Sequence, residues 1–250
     1  MAGVAGRART RDERRGQLSG TVDPIAGFTR APVWTADESA AIADAVLARR
    51  AHWIPRTDGF FTLGRSLYLD AADGDPNGYF PYVAPTNALL LSTFGPMYAR
   101  LRAALAEVLG RPVSFHRSFA RPGFHVLLDH VLPHLDQASV HCDLQFLPLR
   151  DRPGPLHQGE VMSFTVAFRV PAAGAGLDVW PARWDEGSGV DLSAASAPPS
   201  SIGYGVGELL VHDGLTLHRM APVADVAPGD VRITLQGHGL EIAGVVHLYW

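Results

Sequence analysis

The second half of the chain alternates between short apolar-rich runs and turns. From Pro112 onward, β-branched and aromatic residues recur at alternate positions, and Gly, Pro and Asp separate the runs. In an extended strand, residues two apart point to the same face, so this pattern predicts strands that each bury one face. Nine segments fit the pattern: 113–119, 124–128, 139–147, 161–170, 177–180, 208–212, 216–219, 231–236 and 245–249.

The first half shows helical periodicity instead. Thr35 and Glu38 have the spacing of a capping box, which predicts a helix from about residue 35 to Arg50. After this helix, residues 60–69 alternate weakly and predict a strand. Residues 71–85 are rich in Asp, Gly, Pro and Asn, and we expect a loop there.

A longer helical segment follows this loop. Apolar residues recur at helical spacing from Met97 to Val108, and Gly110 stands where a helix-terminating glycine belongs. An earlier helical arm is predicted over residues 86–94. We expect it to be separated from the main helix, or kinked, at Gly95-Pro96, because proline removes a helical hydrogen bond.

Together these elements predict a mainly β protein of the α+β type. The predicted fold is a double-stranded β-helix, or jelly roll, with the N-terminal helices packed on one outer sheet. At 250 residues, the chain suits one large domain. We expect a flexible leader over residues 1–30 and a single domain over 31–250, with a helical part at about 35–110 and a β core at about 112–250.

Composition narrows the class of protein. Hydrophobic residues make up 47% of the chain and charged residues 18%, which is typical of a globular protein with a substantial core. The net charge of −4 argues against nucleic acid as the main partner. The single cysteine, Cys142, excludes an internal disulfide and any metal site built from several cysteines.

The sequence also argues against a membrane partner. No apolar run approaches the roughly 18 residues that span a bilayer. The arginines between Arg7 and Arg15 are not followed by an apolar stretch, as they would be in a signal peptide. We therefore expect a cytoplasmic protein without nucleic-acid or membrane partners, and the sequence leaves its oligomeric state open.

One predicted strand carries a pair of candidate metal ligands. His141 and Asp143 project to the same face of this strand, and Cys142 projects to the other. An imidazole beside a carboxylate makes two-thirds of the facial triad that holds ferrous iron and leaves positions open on it. His218, on a distant predicted strand, is the candidate third ligand.

A polar stripe follows shortly after His218. Arg232, Thr234 and Gln236 share one face of a predicted strand whose other face is apolar. A polar inward stripe in a barrel usually lines a cavity. Arginine engages a carboxylate with two parallel hydrogen bonds, so Arg232 is a candidate clamp for a carboxylate ligand.

The ordered set of His-x-Asp, a distant His and a following Arg resembles the Fe(II)/2-oxoglutarate-dependent dioxygenases. The resemblance covers about residues 118–238. It implies Fe(II) held by His141, Asp143 and His218, with 2-oxoglutarate and O₂ as cosubstrates. It also implies that Arg232 clamps the far carboxylate of 2-oxoglutarate, with Thr234 as an additional hydroxyl donor.

The same resemblance suggests the type of reaction. Enzymes of this family oxidise a C–H bond of their substrate, and the related halogenases lack a carboxylate ligand at the position of Asp143. Its presence here favours hydroxylation, desaturation or ring formation. We expect hydroxylation of a small molecule, in natural-product or amino-acid metabolism.

A second His-x-Asp pair competes with the first. His134 and Asp136 follow a proline at a predicted turn, whereas a metal site needs ligands on rigid elements, so we favour His141 and Asp143. Four further residues are candidates for contact with the cosubstrate or substrate: Gln145, Arg121, His125 and Trp180.

Two other functions stay open. One is a cupin-like metal enzyme that does not use 2-oxoglutarate, and the other is a non-catalytic jelly-roll binding protein. The identity of the substrate is also open, and so is the choice between a lid and disorder for residues 182–203.

Overall fold

A computed structural model of the chain describes residues 21–22, 27–71, 76–149, 156 and 159–250. Strands dominate the described part, and all but three of them belong to one large sheet. In chain order the strands are β1 Thr21–Val22, β2 Thr29–Pro32, β3 Ile54–Thr57, β4 Phe60–Leu63, β5 Val113–Phe115, β6 Gly123–Leu128, β7 Val161–Arg169, β8 Gly176–Arg183, β9 Ser200–Gly203, β10 Glu208–His212, β11 Thr216–Met220, β12 Val231–Ile242 and β13 Val245–Tyr249.

The large sheet runs in the order β1-β2-β10-β7-β12-β6-β4-β3, and every pairing along this path is antiparallel. The far end of β12 also pairs with β13, which pairs in parallel with β5. The small sheet has the order β11-β8-β9 and is antiparallel throughout. Large antiparallel sheets with few helices confirm the predicted mainly β class and agree with a jelly roll.

Three α-helices accompany the sheets: α1 Ala36–Leu47, α2 Leu67–Asp70 and α3 Phe80–Leu109. The predicted capping box is present, because the backbone N–H of Glu38 donates to Thr35 Oγ1 and that of Thr35 donates to Glu38 Oε2. The predicted kink in α3 is also present: Phe94, two residues before Pro96, leaves the helical region with φ −120°.

The predicted loop at 71–85 is partly wrong, because α3 already begins at Phe80. Its proline-rich start resembles a loop in sequence. A proline in the first helical turn is tolerated, however, since the first backbone N–H groups of a helix have no intrahelical partner. The other end of α3 was predicted correctly, because Gly110 caps it in the left-handed conformation at φ 63°.

The main core lies on one face of the large sheet. On β12, Ile233 and Leu235 are fully buried in a cluster with Phe164 of β7, and Leu101 of α3 and Val46 of α1 belong to the same cluster. Burying side chains of this kind stabilises the fold by about 1.5–3 kcal/mol each. The alternation along β12 therefore sends its polar residues to the opposite face of the sheet.

The prediction of a strand at 139–147 is wrong, because this segment forms no regular strand. His141 forms an isolated β-bridge with His218, and the chain then turns into a short 3₁₀ helix at Leu147–Leu149. The predicted strand at 60–69 also divides, because β4 ends at Leu63 and α2 follows. Neither difference separates His141 from Asp143, since the bridge keeps this segment extended locally.

Two other boundaries differ from the predicted ones. The loop predicted at 182–203 contains β9, an edge strand that pairs with β8. β12 continues six residues past the predicted end at 236, through Gly237 and Gly239. A Cβ on Gly237 would lie 2.8 Å from ring atoms of Phe164 and Pro122, so glycine here reflects close packing within the sheet.

Most of the predicted leader, residues 1–30, lies outside the described residues. Its end does not, because Thr21–Val22 pairs with β2 and Phe28 is buried against Leu177 and Leu210. The structured part thus begins earlier than residue 31. Within the described ranges, none of the helices combines the length and the apolar character that a membrane span requires.

Candidate metal centre

Three predicted ligands converge at the edge of the small sheet. Asp143 Oδ1 lies 3.7 Å from Nε2 of His141, and Asp143 Oδ2 lies 3.7 Å from Nε2 of His218. One candidate ligand atom from each of the three residues lies within 4.8 Å of the others. Two imidazole nitrogens and one carboxylate at this spacing are the donor set of a facial-triad metal site.

The backbone brings the remote ligands together. His141 and His218 exchange two N–H···O hydrogen bonds of 2.9 Å each, so their Cα atoms are held as an antiparallel pair. Two residues on, the N–H of Asp143 donates to the carbonyl oxygen of Gly214 at 2.7 Å. Because side chains two apart share a face, this pairing places Asp143 beside both imidazoles.

Both histidines are oriented in the same way. The ring Nδ1 of His141 lies 2.8 Å from the carbonyl oxygen of Ser139, and that of His218 lies 2.7 Å from the carbonyl oxygen of Thr216. A carbonyl oxygen can only accept, so each Nδ1 carries the hydrogen. Each Nε2 then presents its lone pair toward Asp143, which is the arrangement that metal-binding histidines require.

The charges at the centre also suit a divalent cation. Burial opposes ionisation of Asp143, but electrostatic attraction to His218, His238 and His141 outweighs it, so the pKa of Asp143 lies below its usual range. Burial lowers the pKa of His218 despite the neighbouring carboxylate, which favours the neutral imidazole. Deprotonated ligands are the forms that bind metal.

Gly214 shapes the backbone on which the centre is built. It adopts φ +74°, and a Cβ at this position would lie 2.6 Å from Ser163 Oγ and 2.9 Å from the Cβ of Asp143. His212 supports the same turn, because its Nδ1 accepts the N–H of Gly214 at 3.0 Å. Burial lowers the pKa of His212 to about 4, so the ring stays neutral and can accept.

Replacing Gly214 with alanine is expected to weaken metal binding by at least tenfold, because the new methyl group displaces the Asp143 carboxylate. The left-handed backbone adds about 1–2 kcal/mol of strain. Gly110→Ala is the matched control, since Gly110 has φ +63° but open space around it. Anaerobic Fe(II) titration of both variants separates the two effects. Equal Fe(II) affinity in the two variants would contradict a role for Gly214 in placing Asp143.

A buried cation, Arg232, lies on β12, on the face opposite the core residues Ile233 and Leu235. Arg232 is 0% exposed, and among the described residues its Nε and Nη1 have no hydrogen-bond partner. Its Nη2 reaches the Tyr204 hydroxyl at 3.5 Å, and the guanidinium carbon lies 5.1 Å from the centre of that ring. Thr234 Oγ1 is likewise buried without a described partner. Buried polar groups without partners are rare in folded proteins, and arginine N–H groups make their strongest hydrogen bonds to carboxylates and phosphates.

A cavity of about 1320 Å³ opens beside the metal centre. His125 and Gln145, two of the candidates for contact with the cosubstrate or substrate, line it together with the three candidate ligands. The described lining includes neither Arg121 and Trp180 nor the two predicted cosubstrate residues, Arg232 and Thr234. Arg121 stacks on Phe115 at 4.2 Å, and the indole N–H of Trp180 donates to the carbonyl oxygen of Ala197.

The competing pair, His134 and Asp136, lies on a 3₁₀ helix, Asp129–Gln137. His134 lines the cavity, but within the described residues the triad at 141, 143 and 218 is the group that could hold a metal. The predicted turn at this pair is therefore a 3₁₀ helix. Among the described residues, His134 and Asp136 have no third ligand that would complete a metal site.

Several site residues were not found from the sequence. Ser163 Oγ lies 3.0 Å from Nδ1 of His238, and both side chains are buried next to the triad. His238 continues the stripe of alternate positions that starts at Arg232, so alternation could have located it. No sequence periodicity marked Tyr68 or Tyr204. Tyr68 lies on the single-turn helix α2, and Tyr204 follows the edge strand β9.

Known proteins resemble this chain in structure but not in sequence. No family model matches the sequence, and no curated protein matches it. Two solved structures of an N-substituted L-amino acid dioxygenase from Burkholderia ambifaria AMMD are similar, one of them in complex with alpha-KG, that is, 2-oxoglutarate. Their TM-scores are 0.54 for the complex and 0.56 for the other, each at 12% identity, and each match covers 90% of this chain and 86% of that chain.

The chain shares the fold of this dioxygenase. At 12% identity, the likeness to the Burkholderia dioxygenase concerns the fold and leaves the substrate unspecified. Within this fold, the His-Asp-His group could hold a metal ion. The free N–H groups of the buried Arg232 guanidinium need an acceptor.

Proposed function

We propose that the protein is an Fe(II)- and 2-oxoglutarate-dependent oxygenase that oxidises a C–H bond of a small molecule, most simply by hydroxylation. The observation that supports this best is a triad whose Nε2 atoms and carboxylate converge at a cavity. The strand that contributes Gln236 and His238 to the lining of this cavity, β12, also carries Arg232, a buried arginine with free donors. A facial triad leaves coordination positions open for a chelating cosubstrate and for O₂.

The residues of the chain have separate tasks in this proposal. His141, Asp143 and His218 would hold the metal, with their tautomers fixed by the Ser139 and Thr216 carbonyl groups. Arg232 would bind the far carboxylate of 2-oxoglutarate, with Thr234 as a second donor. When bound, iron and 2-oxoglutarate supply the oxidising power for C–H cleavage, and the protein orients the substrate and excludes water.

The buried Arg232 also distinguishes this proposal from its alternatives. A cupin-like enzyme without 2-oxoglutarate gives no reason to bury an arginine with two unsatisfied nitrogens, because such a group destabilises the fold. A binding protein with a structural triad gives no reason for both Nδ1–H groups to be engaged while both Nε2 atoms face one carboxylate. We therefore favour the oxygenase.

The test is an anaerobic titration of the purified protein with Fe(II) and then 2-oxoglutarate. We expect the charge-transfer absorption of an iron-bound 2-oxoglutarate chelate, and on admission of O₂ and substrate we expect succinate in equal amount to the 2-oxoglutarate consumed. Metal binding without this band would favour a cupin-like enzyme. The absence of both metal binding and the band would favour the binding protein.

Three further features belong to the same proposal. The described residues from 27 to 250 form one domain, and α1 and α3 are its outer helical layer, which is supported by their shared cluster with β7 and β12. Hydroxylation is favoured over desaturation or ring closure only as the simplest outcome. The substrate is a small molecule, and natural-product or amino-acid metabolism is the proposed setting.

A further inference from the structure

The size of the cavity is the first indication of the substrate. Ordinary small-molecule pockets have about 300–1,000 Å³. At about 1320 Å³, this cavity has room for a sizeable molecule in addition to the small dicarboxylate cosubstrate of the proposed function.

The lining is the second indication. Apolar side chains from two clusters line the cavity: Phe60, Leu135 and Met220 belong to one, and Leu67, Phe119 and Leu149 belong to the other. Apart from histidines and the metal-ligand residue Asp143, no described residue of the lining carries a charge. Away from the metal centre, a charged substrate group would lose its hydration in this cavity without gaining an opposite charge, which is unfavourable.

The third indication is a pair of polar side chains among these apolar lining residues. Tyr68 Oη lies 2.7 Å from Nε2 of His125, and Nδ1 of His125 is buried without a described partner. Burial, assisted by Arg232 and Arg56, lowers the pKa of His125 to about 3, so the imidazole is neutral at physiological pH. A neutral imidazole and a phenol carry two N–H and O–H hydrogens, and their mutual bond uses one of them. The pair therefore has one hydrogen left to donate.

The pair is also held in place. Tyr68 belongs to the single-turn helix α2, whose last residue, Asp70, accepts two hydrogen bonds from Arg56 and one from Arg65, each at 2.8 Å. The Asp70 side chain is nearly buried. Bidentate Arg–carboxylate pairs fix geometry as well as charge. Tyr68 is thus presented to the cavity from a rigid support.

We propose that this cavity binds a large, uncharged and mainly apolar substrate, and that the Tyr68–His125 pair donates a hydrogen bond to an oxygen acceptor on it. A ketone, ester or ether oxygen has the required chemistry. The inference rests on the proposed function, because it assigns the cavity to the substrate of the same iron centre.

The first experiment compares two fluorescent probes of one ring system: the neutral naphthyl ketone prodan and the corresponding anionic naphthoate. Each is titrated anaerobically into the protein loaded with Fe(II) and 2-oxoglutarate. We expect prodan to bind with blue-shifted emission and the naphthoate to bind at least tenfold more weakly. Equal affinity for the two probes, or tighter binding of the naphthoate, would overturn the uncharged class.

The second experiment removes the donor. Tyr68→Phe and His125→Leu each leave one hydrogen on the pair, so only the double variant lacks a donor. We expect the double variant to bind prodan about tenfold more weakly, with each single variant affected less. Tyr82→Phe is the matched control, because Tyr82 stacks on Arg65 and is not a lining residue.

The affinity for 2-oxoglutarate is measured in the same variants from the chelate absorption. An unchanged 2-oxoglutarate affinity in the double variant supports a contact with substrate. A parallel loss of both affinities would overturn it, since the pair would then serve the cosubstrate or the fold. If the parent protein forms no chelate, the proposed function fails, whereas prodan binding still reports on the cavity itself.

Discussion

Replacing Asp143 with alanine is expected to lower Fe(II) affinity by more than about 100-fold and to abolish turnover. Loss of a residue that only supports a metal ligand typically lowers affinity or activity 10–100-fold, so loss of a ligand itself has the larger effect. Asp143 is also the one carboxylate in the described triad, and without it two neutral imidazoles face the cation. Anaerobic Fe(II) titration and succinate formation measure the two effects.

The matched control is Asp136→Ala, which removes the carboxylate of the other His-x-Asp pair. Asp136 is exposed, and only its backbone carbonyl is used, as an acceptor for Arg219. We expect unchanged Fe(II) affinity and turnover in this variant. The reverse pattern, with Asp143→Ala active and Asp136→Ala inactive, would move the metal to the 3₁₀ helix and overturn the assigned centre.

The ligands themselves could be predicted from the sequence, although the strand that was expected to carry them is absent. The prediction needed only that His141 and Asp143 share a face, and a single bridge with His218 provides this. The alternation along β12 was sufficient for Arg232 and Thr234, because side chains at alternate positions of a strand point away from the face that packs in the apolar core. Local periodicity therefore determined which side chains point inward.

Other parts of the site depend on contacts between distant segments, which periodicity does not encode. Tyr204 directly follows β9, an edge strand of the small sheet, and reaches Arg232 of the large sheet. Tyr68 reaches His125 from α2, which Asp70 anchors to Arg56. Gly214 resembled an ordinary turn glycine. A side chain larger than hydrogen is excluded at this position because the chain at Asp143 packs against it. The role of each of these residues therefore depends on tertiary contacts.

Replacing Arg232 with methionine is expected to lower the affinity for 2-oxoglutarate at least 100-fold while leaving the ligand-free protein as stable as before, or more stable. A buried guanidinium with unsatisfied nitrogens destabilises the ligand-free fold, and an apolar side chain of similar length removes that penalty. The same change removes the donors for the cosubstrate carboxylate. Thermal unfolding with and without 2-oxoglutarate measures both consequences in one experiment.

At 100 times its Kd, a ligand stabilises the folded state by about 2.7 kcal/mol. For a chain of this size, that corresponds to a rise in Tm of about 5–10 °C. The parent protein loaded with metal should show this rise, and Arg232→Met should not. Arg121→Met is the control, because it removes a stacked arginine outside the cavity and should keep the rise. A ligand-free Arg232→Met protein that unfolds far below the parent would mean that Arg232 is satisfied in the unliganded fold. A retained 2-oxoglutarate shift would place the clamp on another residue.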